Sequence, residues 1–225
     1  MKLLLIGNSY TYYNDMPCLL EALLRDNGCD AQVFSVTRGG RKLVENLNPQ
    51  DEYALRLEEL LREHSFDCVI LQDQSLISIL DYNRFEAGVT GLAEKLAPYT
   101  KKFILYATWG RKDGSPDLES HGLTRLTMTE QISAAYRRAA EQIGAAVSPV
   151  GEAFAALCGE VELYDPDLSH PSYAGSCLAA VTHYTTLMGK PPESVSSLAL
   201  DPHIAAAMVN TAARLCGNQK REDAP

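Results

Sequence analysis

No stretch of this 225-residue sequence is apolar for long enough to cross a bilayer, and no lysine- or arginine-rich block offsets its formal net charge of -9. The first absence excludes a helical membrane span, and the second argues against a polyanion such as nucleic acid as partner. At the N-terminus only Lys2 precedes Leu3 to Ile6, too short an apolar run for a signal-peptide core, so a cytoplasmic protein is expected. Cys18, Cys29, Cys68, Cys158, Cys177 and Cys216 form no CxxC pair, and no HExxH or similar ligand spacing occurs. They read as reduced packing residues, with neither a metal nor a cofactor expected. Internal repeats and low-complexity tracts are also missing.

What is present is an ordinary globular composition, 46% hydrophobic and 22% charged, in a chain long enough to bury a sizeable core. One domain over 1–225 is expected, with a C-terminal helical segment at about 202–216 and a short polar tail at 217–225. Oligomeric state leaves no mark in the sequence.

Strand-like and helix-like segments alternate. Leu3 to Ile6 is an unbroken apolar run, as suits a strand buried on both faces, and it ends abruptly in Gly7-Asn8-Ser9. Asn14 or Asp15 then caps a helix with Pro17 in its first turn and Leu19, Leu20, Leu23 and Leu24 along one stripe, stopped by Gly28. Ala31 to Val36, Phe66 to Leu71, Lys102 to Ala107 and Ala145 to Ser148 read as further strands. Helices are expected near Asp51 to His64, Arg84 to Ala97, Thr127 to Ile143, Glu152 to Leu157, Tyr173 to Met188 and Pro202 to Leu215, with Lys112 to Leu123 as a long loop. Short strands separated by helices imply a flavodoxin-like, doubly wound α/β fold: about five parallel strands with helices on both faces.

In such a sheet the loops beyond the strands' carboxyl ends share one edge, where ligands and catalytic groups gather. Ser9, Gly39-Gly40, Gln72 to Gln74 and Trp109 to Arg111 all fall there. Ser9 is a candidate nucleophile, although Gly-Asn-Ser is also ordinary turn chemistry. A partner lies far along the chain, in Asp165-Pro166-Asp167-Leu168-Ser169-His170-Pro171. An acid three residues before a histidine brings both side chains together if the chain between them takes a helical turn, so that Asp167 orients His170 and His170 accepts a proton from Ser9. Asp165 precedes proline, which biases it towards an extended conformation, and is the weaker candidate. Trp109 and Arg111 are candidates to stack on and hydrogen-bond a substrate. His64, His183 and His203 lie in helical stretches and read as capping or core residues.

The blocks GNSYT and DLSHP, with a Gly-Gly loop and a polar loop after the third strand between them, resemble the SGNH or GDSL-like hydrolases from Met1 to about Met188. That resemblance implies an esterase with Ser9, Asp167 and His170 as its triad. It also implies an oxyanion hole from the amides of Ser9 and of Gly39 or Gly40, completed by a side-chain amide. The family's third block usually reads Gly-x-Asn-Asp, whereas this chain has Gln72-Asp73-Gln74-Ser75. Aligning with Gly-x-Asn-Asp favours Gln74 as the substitute donor; aligning with the Gln-Gly-Glu-Ser-like block of carbohydrate esterases favours Gln72. The ordinary nucleophile elbow Gly-x-Ser-x-Gly fits less well, because Thr11 stands at its second glycine. The implied substrate is a small-molecule ester, with a short acyl group on a sugar or other small polar alcohol. Two other functions fit the same pattern: a flavodoxin-type module holding a flavin phosphate in the loop after the first strand, and a relative that binds a ligand without turnover.

Overall fold

The computed structural model describes residues 1–222, with side chains to Gly217. In chain order its main elements are β1 (Lys2–Gly7), α1 (Ser9–Tyr12), α2 (Met16–Asp26), β2 (Gln32–Thr37), α3 (Glu52–Glu63), β3 (Cys68–Leu71), α4 (Ile77–Leu80) and α5 (Tyr82–Leu96). They continue with β4 (Phe103–Tyr106), α6 (Pro116–His121), α7 (Arg125–Ile143), β5 (Ala146–Ser148), α8 (Val150–Leu157), α9 (Tyr173–Met188) and α10 (Pro202–Glu222).

The five strands form one sheet in the order β2-β1-β3-β4-β5, every pair parallel. Alternate residues of β1 point to opposite faces, which is why the run carries no polar position. Leu3 and Leu5 join a core with Ile70, Tyr106, α2, α8 and α9; Leu4 and Ile6 join a second core with Val69, Leu71, α3, α5 and α7. The strand order reverses between β1 and β3, so the crevice of a doubly wound sheet opens where Ser9 and Gln72 leave their strands.

Side-chain caps set most helix starts, and they explain shifts of a residue or two from the expected limits. Asp51 caps α3 through the amides of Tyr53 and Ala54, Asp81 caps α5 through that of Arg84, and Thr124 with Thr127 forms a capping box on α7. The expected cap on α2 is different. Asn14 and Asp15 are both left-handed, with φ of 52° and 53°, and the Asp15 side chain makes no cap bond. The single turn α1 and the short helices α4 and α6 arise in segments expected to be loop. At the other end, α10 runs to Glu222, so the expected polar tail is helical for its first residues; the remainder, 223–225, lies outside the described residues. Among the described residues no helix is long and apolar enough to cross a membrane.

Candidate active site

The turn after β1 is built around two polar side chains. Asn8 caps α1 by accepting from the Tyr10 amide at 3.1 Å, and its Nδ2 donates to the Arg41 carbonyl at 3.0 Å, tying this turn to the glycine loop after β2. From below, Gln72 Oε1 accepts from the Asn8 amide at 2.8 Å and from Thr11 Oγ1 at 2.9 Å. The space between them is so small that a Cβ on Gly7 would sit 2.4 Å from Thr11 Oγ1 and 2.6 Å from Gln72 Oε1. Only glycine fits there. Ser9 is therefore held at the first position of α1, where its amide has no acceptor within the helix.

Ser9 Oγ lies 2.9 Å from His170 Nε2, and His170 Nδ1 lies 2.5 Å from Asp167 Oδ2. The helical turn expected between Asp167 and His170 does not form. Leu168 instead takes a left-handed conformation with φ of 64°, and Asp167 Oδ1 folds back to accept from the amides of Ser169 and His170 at 2.9 and 2.8 Å. One carboxylate oxygen thus organises the loop while the other faces the imidazole. Burial tends to raise the Asp167 pKa, but the bonds from the His170 ring and from the His170 and Ser169 amides outweigh it and leave it below the usual carboxylate range. Asp165 serves the loop through its backbone: its amide donates to the His170 carbonyl at 2.9 Å and its carbonyl accepts from Leu168 at 3.0 Å.

Several residues that the sequence did not single out fasten this loop to the nucleophile's turn. Tyr10 Oη lies 2.8 Å from Ser169 Oγ, and the Tyr10 ring presents its edge relation to His170 at 5.5 Å and 78°. Asn14 Nδ2 donates to the Pro171 carbonyl and to Ser176 Oγ, each at 3.0 Å. Tyr13 stacks on the His170 ring, centroids 4.3 Å apart and planes 14° from parallel. Aromatic letters at 10, 12 and 13 were the available signal, but which ring turns inward depends on contacts more than 150 positions away.

Four expected roles are revised. Trp109 is fully buried, stacked between Tyr10 at 4.6 Å and Phe154 at 4.0 Å, with Nε1 donating to the Ser169 carbonyl at 3.0 Å, so it offers no face to a substrate. Arg111 is also buried, its guanidinium over the Tyr10 ring and its Nε bonded to Asp117 at 2.9 Å. Gln72 is buried, with one Nε2 bond to the Asp73 carbonyl and its Oε1 bracing the Ser9 turn, so its side chain serves the turn rather than an open cavity. The flavin-phosphate alternative loses its cradle for the same reason: the amides of Asn8 and Tyr10 and the Thr11 hydroxyl already have acceptors.

The other loop candidates sit close by. A Cβ on Gly39 would lie 3.3 Å from Tyr12 Oη, which puts this glycine against the helix that begins with Ser9; Gly40, with φ of 66°, meets nothing within 4 Å. Arg41 anchors their loop from inside, with Nε 2.9 Å from Asn46 Oδ1 and Nη2 2.5 Å from Asp51 Oδ1. Gln74 Oε1 accepts from the Ile77 amide at 2.9 Å. Asp73 is buried; its Oδ1 accepts from the Leu43 and Gln74 amides and its Oδ2 has no hydrogen-bond partner among the described residues. Burial pushes its carboxyl up to about 7. No group of three His, Cys, Asp or Glu residues among those described is arranged to hold a metal ion.

The sheet order defines a doubly wound α/β fold, and Ser9, His170 and Asp167 meet at its carboxyl edge. The chain belongs to the SGNH hydrolases: a Slackia heliotrinireducens protein assigned to that family is 31% identical, with a TM-score of 0.75 over 83% of this chain and 98% of that one. The same fold, at lower identity, is found in a DUF4886 family protein of Bacteroides uniformis, 18% identical with a TM-score of 0.76 over 95% of this chain and 93% of that one. It recurs in an acetylxylan esterase of Geobacillus stearothermophilus, 18% identical with a TM-score of 0.59 over 79% of this chain and 90% of that one. No protein-family model and no curated protein matches the sequence.

Proposed function

We propose that this hydrolase cleaves short-acyl esters, acetyl esters of a sugar or another small polar alcohol in particular, with Ser9 as nucleophile. His170 Nε2 takes the Ser9 proton as Oγ attacks the carbonyl and returns a proton to the leaving alcohol. Water then attacks the acyl-enzyme with His170 again as base. Asp167 fixes the imidazole with Nδ1 protonated and Nε2 free to accept, and stabilises the cation formed during each step. The observation that carries this reading is the continuous contact from Ser9 Oγ through the His170 ring to Asp167 Oδ2, 2.9 and 2.5 Å.

For the oxyanion, the Ser9 amide at the start of α1 and the Gly39 amide are the proposed donors, Gly39 being favoured over Gly40 by its closeness to α1. Gln74 is the proposed side-chain donor in place of the family's asparagine, since Gln72 is committed to the turn. Such a donor is worth roughly 3 kcal/mol of barrier. The polar-alcohol substrate is supported by the likeness to the acetylxylan esterase and by an exposed tyrosine, Tyr12, beside the glycine loop.

Ser9→Ala is the decisive variant. Turnover of chromogenic acetyl and butyryl esters should fall on the order of 10⁶-fold, as for loss of a nucleophile elsewhere, with an unchanged thermal melt. An organophosphonate should label the native protein at Ser9 and leave the variant unlabelled. Retained turnover would refute the assignment. A panel of acetylated sugars set against long-chain esters tests the substrate class.

A further inference from the structure

The short segment between α1 and α2 holds two consecutive left-handed residues, and the first of them reaches far along the chain. Asn14 and Asp15 are consecutive left-handed non-glycine residues, a conformation that persists only where surrounding contacts impose it and that clusters at functional sites. Here the contacts are long-range. Asn14 Nδ2 holds the Pro171 carbonyl, next to His170, and Ser176 Oγ; the Ser176 hydroxyl is in turn 3.2 Å from the Tyr13 carbonyl. The clamp therefore joins the turn to the loop that carries the histidine. What it delivers is the Tyr13 ring, laid face to face on the His170 imidazole at 4.3 Å.

We propose that Tyr13 is a positioning residue for His170, its ring face backing the imidazole so that Nε2 stays aimed at Ser9 and the cation formed in each proton transfer meets an electron-rich surface. The inference rests on the Ser9–His170 reading of the site and extends it to Tyr13, whose amide donates to the Ser9 carbonyl at the end of α1 and whose ring lies on the imidazole. An aromatic face attracts a cation through its quadrupole, an effect that aliphatic cover of the same size does not provide. The groups around the histidine leave this role open: Asp167 takes Nδ1, Ser9 takes Nε2, and Tyr10 approaches at 78° rather than stacking. Desolvation first, and then the Asp167 and Asp165 carboxylates, disfavour ionisation of the Tyr13 phenol and keep the ring neutral.

The test compares Tyr13→Leu, Tyr13→Phe and Asn14→Gly, with His170→Ala as reference. Leucine keeps apolar cover over the imidazole but removes the ring face. For Tyr13→Leu, kcat should fall about tenfold at little change in KM, because what is lost acts on the proton transfer rather than on substrate binding. The acid limb of the kcat/KM profile should move to lower pH by about half a unit, as loss of an attraction to the cation requires. Tyr13→Phe should restore both, since the ring and not the hydroxyl carries the effect. Asn14→Gly tolerates the left-handed backbone but deletes the clamp, and should show the same change in smaller degree. The upfield ring-current shift of the His170 ring protons should survive in Tyr13→Phe and vanish in Tyr13→Leu. Wild-type kcat and pH profile in Tyr13→Leu, with His170→Ala inactive, would overturn the role of Tyr13 alone, as would a Tyr13→Phe as impaired as Tyr13→Leu. Turnover by His170→Ala would overturn the reading of the site, and this inference with it.

Discussion

Among the described residues, two serine–histidine hydrogen bonds are shorter than 3 Å and nearly equal in length. Ser9 Oγ is 2.9 Å from His170 Nε2 at the carboxyl edge of the sheet, and Ser148 Oγ, at the end of β5, is 2.8 Å from His183 Nδ1 on α9. The second pair is wholly buried. The Tyr106 ring stands edge-on to His183 at 4.3 Å, and His183 Nε2 has no hydrogen-bond partner among the described residues. Burial pushes the His183 pKa down to about 3, so at neutral pH that imidazole is uncharged, and taking up a proton there means placing a charge in the core. Beside His170 stands the Asp167 carboxylate, and a quarter of the His170 side chain is open to solvent. The contrast teaches that a serine–histidine distance identifies nothing by itself; the third group and access to water separate a base from a packed polar pair.

Removing the feature that separates the two pairs should produce the largest effect. Asp167→Asn keeps the shape of the loop but lets the imidazole take the wrong tautomer, so kcat should fall up to roughly 10⁴-fold at saturating substrate. Asp165→Asn, which alters a carboxylate not bonded to the ring, should cost less than about tenfold. A crippled Asp165 variant with an active Asp167 variant would show the acid to be misassigned.

The buried pair should answer to pH through stability instead of rate. Burial holds His183 unprotonated in the folded chain down to about pH 3, whereas in the unfolded chain it titrates near the ordinary imidazole value of 6.5. The unfolded state therefore binds more protons as pH falls below 6.5, and stability present above that value is lost on the way down. Between pH 7 and pH 5 this one residue should cost about 2 kcal/mol. In denaturant titrations at several pH values, His183→Gln should show a shallower dependence over that interval than the native protein, whatever its stability at pH 7.

Smallest of the three is Ser148→Ala. It should lower stability by about 1–3 kcal/mol, the effect of leaving His183 Nδ1 without its partner, and leave ester turnover intact. Loss of activity in a folded Ser148→Ala protein would break the distinction between the pairs.

Much of this was legible in the sequence, and for identifiable reasons. The apolar run Leu3 to Ile6 suited a strand covered on both faces, and the alternation that follows led to the five-stranded parallel sheet. Gly7-Asn8-Ser9 and Asp167 to His170 are local motifs, and the structure brings those three side chains into contact. What escaped depends on distant neighbours. Trp109 follows a strand at the right edge, yet Phe154 and Tyr10 enclose it. Gln72 has the amide of an oxyanion donor, but the gap beneath Gly7 draws that amide into the turn. The left-handed Leu168 had no glycine or asparagine to announce it, because its conformation is set by bonds that Asp167 Oδ1 accepts from the residues after it.

The clamp between the two ends of the site also bears on when, during synthesis, the protein becomes an enzyme. All five strands are complete at Ser148, so the sheet and the turn that holds Ser9 can form while α9 is still being made. The residues that clamp that turn, and the proposed base with its acid, all lie beyond: Asp167, Ser169, His170, Pro171 and Ser176, up to 163 positions from the residues they meet. On the proposed reading, a nascent chain halted before His170 carries a positioned Ser9 without its base. That serine waits for a residue 161 positions further along before it can act.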